Sequence, residues 1–191
     1  MFRTILLASV AVVALAPAVA RAGYDHERNG LYIGFGIGGG GDQERYQNLP
    51  DDDGAGGVGN FRIGGALNRT VALGLETSGF TRNDDVPAAG TLQRSATVAA
   101  FGVTVFPAQN GFYLRGGVGF GAVKAEYRDA GLTLSGSDHG LGGLFATGWE
   151  FRLTPKFALG PQVEWAGVAV DGDVVKSVGW ASLTAQLTWW W

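Results

Sequence analysis

Leu183-Thr184-Ala185-Gln186-Leu187-Thr188-Trp189-Trp190-Trp191 is the stretch whose reading decides the fold. Successive side chains of an extended strand point to opposite faces, so Leu183, Ala185, Leu187, Trp189 and Trp191 share one face. Ser182, Thr184, Gln186, Thr188 and Trp190 share the other. One face suits lipid and the other suits hydrogen-bonding neighbours. In water the apolar face would invite aggregation; bilayer against that face and paired strands on both edges remove the liability.

The same alternation returns seven more times, each over about the 9–11 residues a tilted strand needs to cross a membrane. Leu31, Ile33, Phe35 and Ile37 oppose Tyr32, Gly34, Gly36 and Gly38, and Phe61, Ile63 and Leu67 oppose Asn60, Arg62, Gly64 and Ala66. Val71, Leu73 and Leu75 oppose Gly74, Glu76 and Ser78; Phe101, Val103 and Val105 oppose Ala100, Gly102 and Thr104. Phe112, Leu114, Val118 and Phe120 then oppose Tyr113, Arg115, Gly117 and Gly119. The last two are Phe145, Trp149, Phe151 and Leu153 against Ala146, Gly148, Glu150 and Arg152, and Phe157, Leu159, Val163 and Trp165 against Gly160, Gln162 and Glu164. The pattern predicts an all-β fold, an eight-stranded antiparallel up-and-down transmembrane β-barrel. Connections at 68–70, 107–111 and 154–156 are tight, whereas 42–57, 81–94, 125–140 and 167–177 are long and polar. Short turns are therefore expected on the periplasmic side and long loops outside. A soluble sandwich would place charge on the second face, which here is crowded with glycine. Aromatic residues near both strand ends, Tyr32, Phe106, Phe112, Tyr113, Phe157, Trp189, Trp190 and Trp191 below and Phe80, Phe120, Tyr127, Trp165 and Trp180 above, sit where interfacial girdles would lie.

The beginning of the chain sets the compartment. Arg3, the apolar run Ile5 to Ala16, and the small residues ending Ala20-Arg21-Ala22 read as a secretory signal peptide over residues 1–22, cleaved after Ala22. The barrel domain then occupies residues 23–191. The full chain carries 14 basic and 17 acidic residues and no cysteine, which excludes disulfides, thiolate metal sites and a lipid-modified cysteine and gives nucleic acid nothing to bind. Glycine, at 33 of 191 residues against a usual ~7%, favours closely packed strands over helices.

Leu31-Tyr32-Ile33-Gly34-Phe35-Gly36, Phe112-Tyr113-Leu114-Arg115-Gly116-Gly117-Val118-Gly119 and the terminal aromatic residue resemble the small eight-stranded outer-membrane barrels of the OmpA and OmpX type. The resemblance covers the whole of 23–191 and implies an integral bacterial outer-membrane protein without a periplasmic domain. It further implies that Leu183, Ala185, Leu187, Trp189 and Trp191 form the signal read by the barrel-assembly machinery. Outer-membrane lipid and lipopolysaccharide are the expected partners of a monomeric barrel, with no cofactor and no metal.

The second face supplies the candidate site. Arg62, Arg115 and Arg152 balance Glu76, Glu150 and Glu164, with Gln162 between them. Eight strands enclose a space that side chains can just fill, and charges there must find partners. They are expected to form a polar network that plugs the barrel; a narrow passive channel for small solutes is the alternative. Catalysis has little to stand on: His26 lies in the N-terminal lead, and Ser137-Asp138-His139 are contiguous in an extended segment whose neighbouring side chains diverge, unlike a spatially assembled triad. Gly34-x-Gly36-x-x-Gly39 has no helix to follow it, and twelve positions from Asp51 a calcium loop would need glutamate where Arg62 stands. The acidic residues Asp42, Glu44, Asp51 to Asp53, Asp84, Asp85, Asp171 and Asp173 are expected to serve loop solubility, with a shared divalent cation to lipopolysaccharide as the sharper reading. The expected function is a non-enzymatic outer-membrane barrel presenting its loops to the outside, loop-mediated adhesion being a further alternative.

Overall fold

A computed structural model describes residues 28–47, 50–86, 90–129, 132–170 and 175–191. The expected signal peptide with its cleavage after Ala22, His26, Asp171 and Asp173 lie outside the described residues. The strands are β1 (Leu31–Tyr46), β2 (Asp52–Ala66), β3 (Val71–Val86), β4 (Gly90–Val105), β5 (Phe112–Asp129), β6 (Leu132–Trp149), β7 (Phe157–Val170) and β8 (Val175–Trp190). Beyond Trp149, β6 resumes for Phe151–Arg152 after a break at Glu150, whose backbone N–H donates to Gly111 at 2.9 Å. Each strand pairs antiparallel with its sequence neighbours, and β8 returns to β1 from Tyr32↔Trp190 upward, so the barrel is closed. At the bottom, Leu31 and Trp191 exchange two backbone hydrogen bonds of 3.0 Å.

The pairings fix the size of the barrel. From Ile33 the partners run Ile63, Leu75, Phe101, Val118, Gly143, Gly167 and Gly179, and then return to β1 at Gln43, ten residues along. With ~3.3 Å per residue and ~4.8 Å between strands, this shear tilts the strands by about 41° on a cylinder of radius about 8 Å. Outside, Leu31, Phe35, Ile37, Ile63, Leu75, Phe101, Val118, Phe120, Leu141, Phe145, Leu183, Leu187 and Trp189 are exposed. In water this would be a severe liability; it is the apolar belt of a membrane barrel, whose height is ~25 Å. A tilted 16-residue strand such as β1 rises about 40 Å, so roughly 15 Å of it stands above the belt.

The long connections thus take an unexpected form. Most of the described residues of 42–57, 81–94, 125–140 and 167–177 continue the strand ladders as a raised crown. There the outer face meets water and the inner face carries many charged or polar side chains, so the sequence loses the alternation that marks a strand with one face in lipid. A second difference concerns the girdles. Phe112, Phe157, Trp189, Trp191, Phe120 and Trp165 point outward as expected, and Tyr32, Tyr113 and Trp190 lie on the inward face where the alternation put them; they are buried with Phe106 at the periplasmic end, and Phe80 and Trp180 inside at the other, so these six line the lumen instead of a girdle. Their even or odd position in each strand sends them inward, and strand phase overrides the interfacial preference of the ring.

Candidate functional site, the barrel interior

The lumen is stratified. Tyr32, Ala72, Phe106, Tyr113 and Trp190 form a floor at the short-turn end. The rings of Tyr32 and Trp190 lie 5.0 Å apart and those of Phe106 and Tyr113 5.9 Å. The Arg28 guanidinium seals this floor, 3.5 Å from the Phe106 ring centroid and 3.6 Å from Glu150 Oε2. Sequence alone did not single out Arg28, because it precedes the first alternating segment.

Above the floor, about 7–17 Å up the tilted strands, lies the charged network. Arg62 Nη2 donates to Glu150 Oε1 at 3.1 Å and to Thr188 Oγ1. Its guanidinium also faces the rings of Tyr32 and Tyr113 at 5.7 and 5.6 Å. Arg115 bridges two carboxylates, with Nε 3.0 Å from Glu76 Oε2 and Nη2 3.5 Å from Glu164 Oε2. Gln162 Oε1 accepts from Arg115 Nη2 at 2.6 Å and from Tyr113 Oη at 2.8 Å, while its Nε2 donates to Glu164 at 3.1 Å. Ser78 Oγ donates to the other Glu164 oxygen. Glycine makes the space: a Cβ on Gly34 would lie 2.5 Å from Arg62 Nε, and one on Gly102 2.9 Å from Glu76 Oε1. Arg152 lies at the lower end of the group. It is buried at the periplasmic end, donates to the Pro155 carbonyl at 2.8 Å and faces the Trp190 ring at 5.3 Å.

From about 17 to 27 Å up the interior turns apolar. Val58, Phe80, Ala96, Val98, Ala100, Val123, Leu144, Ala166, Val168, Val178 and Trp180 pack into one buried cluster. The sequence-based expectation places Ala100 on the inward face and Phe80 and Trp180 in the girdle; most of the others sit at the upper strand ends, beyond the clearly alternating residues, and Val168 lies in a segment read as a loop.

A second ionic group caps the apolar layer. Arg82 meets Asp42 at 3.2 Å, Asp52 at 2.5 Å and Asp84 at 3.3 Å. Arg94 meets Glu44 at 3.1 Å, Asp84 at 3.6 Å and Asp52. Asp42, eleven residues above Leu31 on β1, stands about 27 Å up and so outside the belt. Burial pushes its carboxyl up to about 6, outweighing Arg82. Asp52 is held below its usual value, the hydrogen bond from Arg94 and the charge of Arg82 overcoming a partial burial that acts the other way. Asp42, Glu44, Asp52 and Asp84, expected to serve loop solubility, are thus occupied by arginines of the same barrel. On β6, Ser137, Asp138 and His139 are all exposed, and Asp138 points to the opposite face from the other two.

A closed antiparallel barrel with an apolar outer belt and a polar interior is an integral outer-membrane protein. The chain belongs to the outer membrane protein beta-barrel domain family, whose sequence model matches residues 5–184. Ail, the attachment invasion locus protein of Yersinia pestis, superposes with a TM-score of 0.59 at 19% identity over 84% of this chain and 99% of its own. Its complex with the heparin analogue sucrose octasulfate gives 0.58 at 18% over the same shares. Neisserial surface protein A gives 0.57 at 14%, over 84% of this chain and 97% of its own. At these identities the likeness is one of fold. A search of curated proteins finds no match.

Proposed function

We propose that this protein is a non-enzymatic, non-conducting outer-membrane barrel that holds a rigid crown at the cell surface. One observation carries the reading: the charged network lies between two buried apolar layers, the aromatic floor and the aliphatic cluster around Val98 and Trp180. A continuous water file would have to cross both, and an ion would shed its hydration in each. The network's carboxylates are engaged by Arg62, Arg115 and Arg28, which favours a structural role over acid–base chemistry. Proteoliposomes carrying the protein should swell in isosmotic arabinose no faster than empty liposomes; swelling that scales with protein content would favour the passive channel.

The crown supports a second component of this role, recognition outside the cell. Strands raised well above the belt present backbone and side chains to macromolecules, and a protein of similar fold, Ail, is the attachment invasion locus protein of Yersinia pestis. For biogenesis, the outward row Leu183, Ala185, Leu187, Trp189 and Trp191 is the surface we assign to the assembly machinery. Trp191→Ser should slow insertion in cells, measured by heat-dependent gel mobility, and unchanged insertion would remove the assignment.

A further inference from the structure

The apolar belt is dented. A groove of about 690 Å³ runs obliquely across the outer surface from β6 to β1, with Pro161 and Ala185 as its floor. The pairings explain the hollow. In the outward row from Ile37 through Ala185 to Pro161 the last two side chains are short. The row beneath it, Phe35, Leu187, Leu159 and Phe151, is long throughout, and Leu183 stands above. Phe151, stacked on Trp149 at 6.4 Å, walls the β6 side. The seam between β6 and β7 also parts here: their ladder stops at Gly148↔Gln162 and resumes at Phe151↔Leu159. The Pro161 carbonyl lies on the β6 side, against Gly148, so its nitrogen faces β6 as well and has no hydrogen to donate. Glu150, next along β6, gives its N–H to Gly111 instead. Proline is ordinarily kept to edge strands, and a closed barrel has none; the missing rung lies under the groove.

The two ends of the groove lie at different depths. With the strands tilted by ~41°, Phe151 and Leu153 stand level with Leu31 and the periplasmic turns, and Leu183 stands about 17 Å higher. The groove therefore starts at the periplasmic interface and climbs past the middle of a ~25 Å belt. Its lower end opens beside the turn at 154–156. Thr154 Oγ1 accepts from the backbone N–H groups of Lys156 and Phe157 at 3.3 and 3.0 Å, which holds this turn in shape. Lys156 is exposed on it, and among the described residues no carboxylate pairs with its ammonium.

We propose that the groove is a binding site for one acyl chain of an anionic glycerophospholipid of the periplasmic leaflet, whose phosphate meets Lys156. The order of depths fits such a lipid, with a cation at the interface and an apolar hollow rising from it into the belt. Apolar contact alone selects nothing here, because the surrounding bilayer chains are as apolar as the groove. Shape and charge do the selecting. The hollow holds one chain still against a fixed backbone, and the ammonium at its foot favours a negative headgroup by about fivefold. A second copy of the barrel is a poor occupant: a two-fold interface sets the same patch against itself, and two grooves face to face leave their floors apart. The site faces the bilayer and does not depend on the sealed lumen.

The test places the full barrel in nanodiscs of equimolar dimyristoyl phosphatidylglycerol and dimyristoyl phosphatidylcholine, and counts by native mass spectrometry the lipids that stay on the ejected protein. One retained phosphatidylglycerol per barrel is expected. Ala185→Trp fills the groove and should remove that lipid, whereas Val118→Trp, on the outward face of β5, should leave it in place; heat-dependent gel mobility verifies that both variants fold. Lys156→Glu leaves the belt untouched and should by itself abolish the preference for phosphatidylglycerol. Retention by Ala185→Trp equal to wild type, a preference unchanged in Lys156→Glu, or a spread of both lipids in the proportion of the disc overturns the proposal. A protein dimer that Ala185→Trp dissolves does so as well, since it assigns the groove to a second copy. None of these failures bears on the silence of the lumen, which is read separately by swelling.

Discussion

The two halves of the lumen solve one problem in opposite ways. Near the periplasmic end the space is filled by Arg62, Arg115, Glu76, Glu150, Glu164 and Gln162, each answered by a partner on another strand. Toward the outside it is filled by Val58, Phe80, Val98, Val168 and Trp180, which need no partners. The first filling fixes which strands stand opposite one another, because a charge displaced by one residue loses its counterpart. The second excludes water. A buried ion pair is costly to break and adds little over an apolar replacement, so the halves should respond differently to substitution.

The largest effect is expected in the charged half. Arg115→Ala leaves Glu76 and Glu164 buried without their shared cation and should destabilise the barrel by about 3–5 kcal/mol, measured as the urea midpoint for loss of the folded gel band. Next comes a rescue: Arg115→Met combined with Glu76→Gln neutralises one of the two carboxylates that lose their cation, and should recover part of that loss. Recovery of nothing would show that the two residues do not act as a pair. In the apolar half, Val98→Ala removes two buried methyl groups and should cost about 1–2 kcal/mol. No second substitution among the charged residues should compensate it.

The smallest effect belongs to the ionic cap. The Asp42 carboxyl is raised from 3.8 to about 6 in the folded barrel, so the folded state holds its proton more tightly than the unfolded chain. The stabilisation from that proton is full below about pH 4 and is lost as pH rises through about 6. Wild type should therefore lose stability between pH 4 and pH 6.5 relative to Asp42→Asn, in which this slope is absent; parallel profiles would count against it.

How legible this was depends on whether the two faces of a strand meet different surroundings. Between Leu31 and Ile37, or Leu183 and Trp189, one face is in lipid and the other in the lumen, and the alternation exposes strand, phase and inward residues together. Arg62, Glu76, Arg115, Glu150, Gln162 and Glu164 could be named for that reason. Above Gly41 or Lys124 polar residues occupy both faces, the period vanishes, and strands that the backbone ladder still supports read as loops. The Arg82 and Arg94 bridges were hidden with them, and the aliphatic layer, at the upper strand ends, lay where the alternation was already fading. Arg28 was hidden for another reason: nothing in its neighbours' pattern says that the chain folds under the barrel floor.

The central claim, that floor and aliphatic layer together seal the lumen, is tested most directly by recording from the purified wild-type barrel in planar bilayers. The seal predicts no stepwise current at any holding potential, with insertion verified on the same preparation by heat-dependent gel mobility. Reproducible unitary steps that scale with salt concentration would contradict it.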